Sequence, residues 1–227
     1  RTPWGFSWPK VPKYSLDLIR YIFFRKGIFA THLVESGGFM RTTTNLDRPD
    51  IQMVFVPGHR APPPKQIEVG HGYSLFAVLL RPKSRGSVSL ASANLDDPPV
   101  IDHRFYTAEE DLEVILRGLK EIRRIAHADI FEKYQPTEIL PGMNTQSNDE
   151  LKNYIRQFGG TIFHPVGTCK MGNDRQAVVD ERLRVRGING LRVADASIMP
   201  TIVGGNTNAP SIMIGEKASD MIREDND

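Results

Sequence analysis

The histidine at position 164 lies in an irregular stretch, FHPVGTCKMG, soon after the glycine pair Gly159 and Gly160. A histidine side chain gains or loses a proton close to neutral pH, so it can act as a general acid or base. Further along, residues 190–210 read GLRVADASIMPTIVGGNTNAP, where glycine, proline and small polar residues interrupt short apolar runs. This composition indicates backbone held close to another group. A histidine beside a proline can equally be a structural residue, and its type alone leaves both interpretations open.

Two other kinds of reactive site are weakly indicated. Cys169 lies five residues after His164, a spacing that permits a thiol nucleophile assisted by a histidine. No G-x-C-x-G turn and no second nearby histidine accompany it, so we do not expect a thiol enzyme. We also expect no metal site, because the spacing of four other histidines fits no ligand pattern: His59, His71, His103 and His127.

Three helices are predicted around these segments. Thr107 to Glu110 reads as a capping box, and apolar residues at helical spacing follow it as far as Ile125. We interpret the acidic run 109–113 as a solvated helix start that complements the macrodipole. Ser147 to Glu150 is a second capping box, and its helix ends at Gly159. Residues 209–222 read as a helix with proline in the first turn, where it is tolerated.

Strand patterns lie before and between these helices. Residues 49–57 place Ile51, Met53 and Phe55 on one face and Gln52, Val54 and Val56 on the other, which predicts a strand. Residues 86–92 alternate small polar residues with Val88 and Leu90, which predicts a second strand. Residues 72–81 are apolar almost throughout, which predicts a central strand covered on both faces. Residues 191–197 read as a short buried strand, and residues 61–64 as a loop. Strands grouped ahead of long helices predict an α+β architecture rather than regular βαβ alternation.

An early helix is predicted from Tyr14 to Arg25, with a broad apolar face and an end at Gly27. Basic residues near its end, Arg20, Arg25 and Lys26, are compatible with a membrane-surface helix. Docking on its own domain or on another part of a longer protein is the favoured interpretation.

Composition excludes several classes of protein. The 227-residue chain is 40% hydrophobic and 25% charged, which is ordinary for a globular protein with a substantial core. Its formal net charge of +2 is too small to indicate nucleic-acid binding, which needs a clustered basic face. No stretch approaches the roughly 18 uninterrupted apolar residues of a spanning helix. Cys169 is the only cysteine, which favours a reducing compartment.

The spaced motifs together carry a family resemblance. The runs HPVGTCKMG and GLRVADASIMPTIVGGNTNAPSIMIGEKASDMI, with LRPKSRGSVSLAS earlier in the chain, resemble the C-terminal portion of glucose–methanol–choline (GMC) oxidoreductases. The choline-dehydrogenase-like branch is the most similar, and the match covers roughly residues 72–222. The resemblance implies a mixed, largely antiparallel sheet packed on helices. It also implies an FAD-dependent enzyme that oxidises a primary alcohol, with choline as a candidate, to the aldehyde.

The resemblance also implies roles for particular residues. His164 matches the active-site histidine that accepts the substrate's hydroxyl proton, and Asn206 matches the second active-site position. Positions that line the flavin are matched by Asp195, Ala196, Thr207 and Asn208. An aliphatic alcohol has a pKa about 9 units above that of an ordinary histidine, a gap of roughly 12 kcal/mol. A base alone does not bridge that gap, so donors such as the Asn206 amide must stabilise the alkoxide as it forms.

The resemblance implies that this chain is one part of a longer enzyme. The chain begins Arg-Thr-Pro-Trp and contains no G-x-G-x-x-G turn for the FAD pyrophosphate. We therefore expect residues 1–160 to form a partial substrate-binding domain and residues 161–227 the active-site segment with the returning part of the FAD domain. The N-terminal FAD-binding domain would lie outside this chain, which alone would be inactive and would not retain FAD. A non-catalytic domain that binds a small molecule or a partner protein is the alternative.

Expectations about partners follow from the same resemblance. They are a small alcohol substrate, an electron acceptor such as a quinone, and no nucleic acid. The location expected is cytoplasmic or peripheral at the inner face of a membrane.

Overall fold

The computed structural model describes residues 5, 7–32, 34, 36–58 and 70–225. The chain divides into two compact units. One comprises Arg1–Leu79 and Leu112–Gly159, and the other comprises Leu80–Asp111 and Gly160–Asp227. The second unit is therefore built from two separate stretches of sequence. The loop predicted at residues 61–64 lies outside the described residues.

The first unit contains a three-stranded antiparallel sheet. Its strands are β1 (Ser36–Met40), β2 (Ile51–Val56) and β3 (Ser74–Leu79), in the order β1-β2-β3. Ile51 pairs with Leu79 and with Met40, so β2 is central. Among the described residues, the prediction of a central strand at 72–81 is wrong: β3 pairs with β2 alone and lies at the edge of this sheet, and all its residues are half-buried. Its apolar run reflects partial cover on both faces rather than strand neighbours on both sides.

Helices complete the first unit. The long helix α2 (Glu109–Ala126) begins at the boundary between the units, and α3 (Asp129–Glu132) and α4 (Asn148–Phe158) follow. Ile51, Leu112 and Leu151 are almost completely buried. The predicted capping box of α4 is confirmed, since the Ser147 hydroxyl accepts from the Glu150 N–H and the Glu150 carboxylate accepts from the Ser147 N–H.

The predicted early helix is also present, as α1 (Val11–Phe24). It ends where Arg25 adopts a left-handed conformation with φ 54°. The only buried residue of α1 is Asp17, which pairs with Arg20. Several large apolar side chains of the helix are exposed: Leu16, Leu18, Ile19, Ile22, Phe23 and Phe24.

The second unit has little regular strand structure. β4 (Ser87–Ser89) pairs antiparallel with β5 (Val100–Asp102), and the last helix is α5 (Asn208–Glu224). The strand predicted at 191–197 is not formed: Arg192 makes one isolated bridge to Arg184, and a 3₁₀ turn at Ala196–Ile198 follows. A strand needs a partner along its length, and the Asp195 side chain here caps the turn by accepting from the Ser197 N–H.

The start of α2 corrects a further prediction. The acidic run 109–113 is not uniformly solvated, because Asp111 is buried. Its carboxylate accepts from the backbone N–H groups of Lys83 and Ser84 and from the Ser84 hydroxyl. This buried acceptor ties the chain after residue 80 to the first turn of the helix.

The α+β class, with antiparallel sheets and separate helices, is confirmed. In the described part of the chain, none of the helices has the length and apolar character needed to cross a membrane.

Candidate active site

The segment that carries His164 is held against residues 195–199 in the second unit. The Cys169 N–H donates to the Ser197 carbonyl at 3.0 Å, and the Met171 N–H donates to the Ile198 carbonyl at 2.7 Å. Gly167 has a φ of +91°, and a Cβ there would lie 3.3 Å from the Met199 carbonyl oxygen. A left-handed turn this close to a carbonyl favours glycine.

The residue before the histidine is also conformationally unusual. Phe163 has a φ of +67° and is exposed. Its N–H donates to the Thr161 hydroxyl at 2.8 Å. Left-handed conformations of non-glycine residues are costly and are concentrated at functional sites. The two turns on either side fix the direction in which the backbone presents His164.

A small apolar core packs against the segment that carries His164. Six buried residues form it: Val179, Leu183, Ile198, Met199, Ile214 and Ala218. Val166 and Met171, from the His164 segment, pack against this core, and Ile214 and Ala218 come from α5. The core therefore joins the histidine segment, the 195–199 turn and α5 into one substructure.

His164 and Thr207 are in direct contact. The Thr207 Oγ1 lies 3.0 Å from His164 Nδ1, and the Thr207 backbone N–H reaches the same ring nitrogen at 3.4 Å. His164 is half-buried, and Thr207 is buried. Two segments that are more than forty residues apart in sequence thus meet at the histidine ring.

Two further predicted site residues, Asn206 and Asn208, are the sequence neighbours of Thr207. Asn206 directly precedes Thr207, Asn208 begins α5, and both are exposed. Thr207 occupies the N-cap position of α5, but its side chain makes no capping hydrogen bond. The amide N–H groups of the first turn therefore lack the side-chain acceptor that an N-cap threonine usually provides.

Asp195 and Ala196 lie at the start of the 3₁₀ turn. Asp195 is exposed, its Oδ1 accepts from the Ser197 N–H at 2.7 Å, and Ala196 is half-buried. They are joined to the histidine segment through the backbone hydrogen bonds of residues 197 and 198. Five of the six predicted site residues therefore lie on two short segments that adjoin the one carrying the sixth, His164.

Sequence reasoning missed Arg81 at this site. A Cβ placed on Gly204 would lie 2.4 Å from the Arg81 guanidinium, so that group occupies the space beside the glycine pair that precedes Asn206. An arginine directly after an apolar strand is the only signal in the sequence, and it does not identify the distant glycine that the side chain reaches.

Asp180 organises a turn of the second unit. Its carboxylate accepts from the N–H groups of Arg182 and Arg184 and from the Arg184 guanidinium, each at 2.9 Å. Partial burial opposes ionisation, but these hydrogen bonds and the nearby positive charge outweigh it and hold the pKa of Asp180 below its usual value.

The end of α5 is fixed by ion pairs. Arg182 contacts Glu224 at 3.1 Å and Asp225 at 2.8 Å, and Arg192 also pairs with Asp225. Hydrogen bonding to Arg182 and the surrounding arginines lower the pKa of Asp225. Both ends of α5 are thus attached to the loops of the second unit.

The structure gives no added support to the two other kinds of site, a thiol nucleophile at Cys169 and a metal site. Cys169 is a free, half-buried cysteine. Within the described ranges, no three histidine, cysteine, aspartate or glutamate side chains are grouped closely enough to hold a metal ion.

A known protein family matches the part of the chain that contains the candidate site. The family model of GMC oxidoreductases matches residues 82–215, more than half of the chain. The matched range includes His164, Asp195 and residues 206–208. The chain belongs to the GMC oxidoreductase family, and the predicted membership is confirmed.

Similar proteins include two kinds of curated dehydrogenase. An alcohol dehydrogenase [acceptor] from Pseudomonas putida is 45% identical over 98% of this chain and 40% of its own length. An oxygen-dependent choline dehydrogenase from Brucella anthropi is 44% identical over 89% of this chain and 37% of its own length. The chain therefore spans about two-fifths of the length of these relatives.

Solved structures share the fold. Pyridoxine 4-oxidase from Mesorbium loti has a TM-score of 0.77 and 32% identity, over 85% of this chain and 38% of its own. A formate oxidase variant from Aspergillus oryzae, used to study FAD modification, has a TM-score of 0.80 and 26% identity. That match covers 94% of this chain and 42% of the oxidase.

Proposed function

We propose that this chain is the C-terminal part of an FAD-dependent dehydrogenase that oxidises a primary alcohol to the aldehyde. The contact between His164 and Thr207 is the observation that carries the proposal. It brings a proton-accepting side chain to the segment that bears Asn206, an amide donor. Identity of 45% and 44% to an alcohol dehydrogenase and a choline dehydrogenase supports this substrate class.

The residues present suit a flavin. α5 begins with amide N–H groups that its N-cap side chain does not engage, and the amides of Asn206 and Asn208 are exposed beside them. Such donors complement the electron-rich, polar edge of an isoalloxazine ring. Asp195, Ala196, Thr207 and Asn208 would line the cofactor. When bound, FAD supplies the acceptor for the hydride that leaves the alcohol carbon.

His164 and Asn206 have different roles in the proposed reaction. His164 accepts the hydroxyl proton, which an asparagine amide cannot do. Asn206 donates a hydrogen bond to the oxygen as negative charge develops on it, and the protonated His164 stabilises the same charge. The two side chains together lower the cost of forming the alkoxide, and that cost is the main obstacle to the reaction.

The test is anaerobic mixing of the whole flavoenzyme with primary alcohols, including choline. The proposal predicts bleaching of the flavin absorbance near 450 nm and formation of the aldehyde. Absence of bleaching with every primary alcohol, despite bound FAD, would contradict it. A choline-specific enzyme needs an aromatic or acidic cage for the quaternary ammonium. Aromatic and acidic residues that could contribute to such a cage are Trp8, which is exposed, and Trp4, Phe6 and Glu68, which lie outside the described residues.

A further inference from the structure

The position of Thr207 is not explained by its helix. A threonine at an N-cap normally accepts from an amide N–H of the first turn, which stabilises the helix. Thr207 makes no such bond, and its hydroxyl lies 3.0 Å from His164 Nδ1 instead. Its side chain is buried, with 8% of the residue exposed. The Thr207 hydroxyl is therefore paired with the imidazole ring of His164 rather than with the helix.

Two groups of Thr207 compete for one ring nitrogen. The backbone N–H, at 3.4 Å, can only donate, so it requires His164 Nδ1 to be unprotonated. The hydroxyl can accept as well as donate. If Nδ1 carries the proton, the hydroxyl oxygen accepts it at an ordinary hydrogen-bond length, and the other ring nitrogen, Nε2, keeps a free lone pair.

The protonated ring distinguishes the two groups further. Both nitrogens of an imidazolium are donors, so Nδ1 then needs an acceptor. Of the two Thr207 groups at Nδ1, only the hydroxyl oxygen can serve. A hydroxyl at this place is thus compatible with His164 both before and after it takes up a proton.

We propose that Thr207 is a positioning residue whose hydroxyl accepts the Nδ1 proton of His164 and leaves Nε2 free to act as the base. The inference rests on the proposed role of His164 in alcohol oxidation. It assigns the Thr207 side chain to the histidine, in addition to the flavin-lining position that family resemblance implies.

The direct test is the protonation pattern of the ring, which requires no catalysis. The 227-residue chain is labelled with ¹⁵N-histidine, and the His164 signals are identified by their loss in His164→Gln. We expect neutral His164 to be protonated at Nδ1. In Thr207→Val only the backbone N–H remains, and the proton moves to Nε2. Thr207→Ser retains the original pattern, as does Ser211→Ala, which removes a hydroxyl bonded to the Thr207 carbonyl.

The kinetic arm uses the whole flavoenzyme. Thr207→Val should slow flavin reduction by about 10- to 100-fold, well below the roughly 10⁴-fold cost of neutralising the orienting carboxylate of a protease triad. Thr207→Ser should restore the rate to within a few-fold, and Ser211→Ala should leave it near the wild-type value.

The outcomes separate this inference from the proposed function. Protonation at Nε2 in the unaltered chain would overturn the role of Thr207, and so would an unchanged flavin-reduction rate in Thr207→Val. If Thr207→Val does not fold, the pattern in the unaltered chain and in Thr207→Ser still decides the matter. Failure of every alcohol to reduce the flavin would overturn the proposed function alone.

Discussion

At the residue scale, Asp111 and His164 illustrate two ways in which a polar side chain is fixed. Asp111 is buried and accepts three hydrogen bonds from residues 83 and 84. His164 is held by Thr207 across a long sequence separation. Both arrangements depend on long-range contacts, so composition and local pattern do not reveal them.

Replacing Asp111 with alanine should lower the free energy of unfolding by about 2–4 kcal/mol. The substitution leaves two partly buried backbone N–H groups and a hydroxyl without their acceptor. Chemical denaturation of the chain measures the change. Glu110→Ala is the matched control, because Glu110 forms an exposed pair with Lys83 and should cost at most about 1 kcal/mol. Equal effects of the two substitutions would contradict the burial argument.

The site residues were predictable only in part. His164, Asn206 and the positions around them were predicted from the family resemblance that the spaced motifs carry. The family membership is confirmed, and the roles of these residues stay predictions. The bond between Thr207 and His164, and the approach of Arg81 to Gly204, were not predictable. Motif spacing does not specify which side chain reaches which atom.

At the element scale, helices with local signals were predicted best. α4 begins and ends where its capping box and Gly159 indicate. β1 was not predicted, and the strand expected at 191–197 is absent from the structure. The reason is physical: capping is decided within a few residues, whereas a strand depends on a distant partner.

The turn at Asp180 makes the second unit sensitive to acid. The folded-state pKa of Asp180 lies below its ordinary value, so its contribution is fully present above the unfolded pKa and is lost as pH falls through the folded one. We expect the free energy of unfolding to fall as the pH drops below the ordinary aspartate pKa of about 3.9. Asp180→Asn should reduce the slope of that dependence, because the variant has no carboxylate to protonate at this position, whereas Asp225 still titrates. A slope unchanged from that of the unaltered chain would contradict this account.

At the scale of the whole chain, the exposed apolar face of α1 is the most conspicuous surface of the first unit. Ile22 is 59% exposed and Phe23 is 73% exposed, and further apolar residues adjoin them. Contiguous apolar surface of this kind usually marks a contact with another structure. Family membership was predictable from sequence at this scale, whereas the grouping of residues 80–111 with the C-terminal stretch was not.

The 227-residue chain should therefore bind a hydrophobic fluorescent dye such as ANS. Ile22→Glu combined with Phe23→Glu should lower the dye fluorescence at least twofold, because it breaks the apolar face. Leu95→Glu is the matched control: Leu95 is 99% exposed and lies in a loop, so it should have little effect. Equal fluorescence in the double variant and the unaltered chain would show that this face is not the accessible surface.

If His164 removes the substrate proton while the flavin is reduced, as we propose, its replacement must slow flavin reduction. Stopped-flow measurement of flavin reduction in the whole enzyme tests it most directly, with His164→Ala compared against His103→Ala, an exposed histidine of the same unit. We expect the rate to fall by two or more orders of magnitude in His164→Ala and to stay near-native in His103→Ala. A near-native rate in His164→Ala would contradict it.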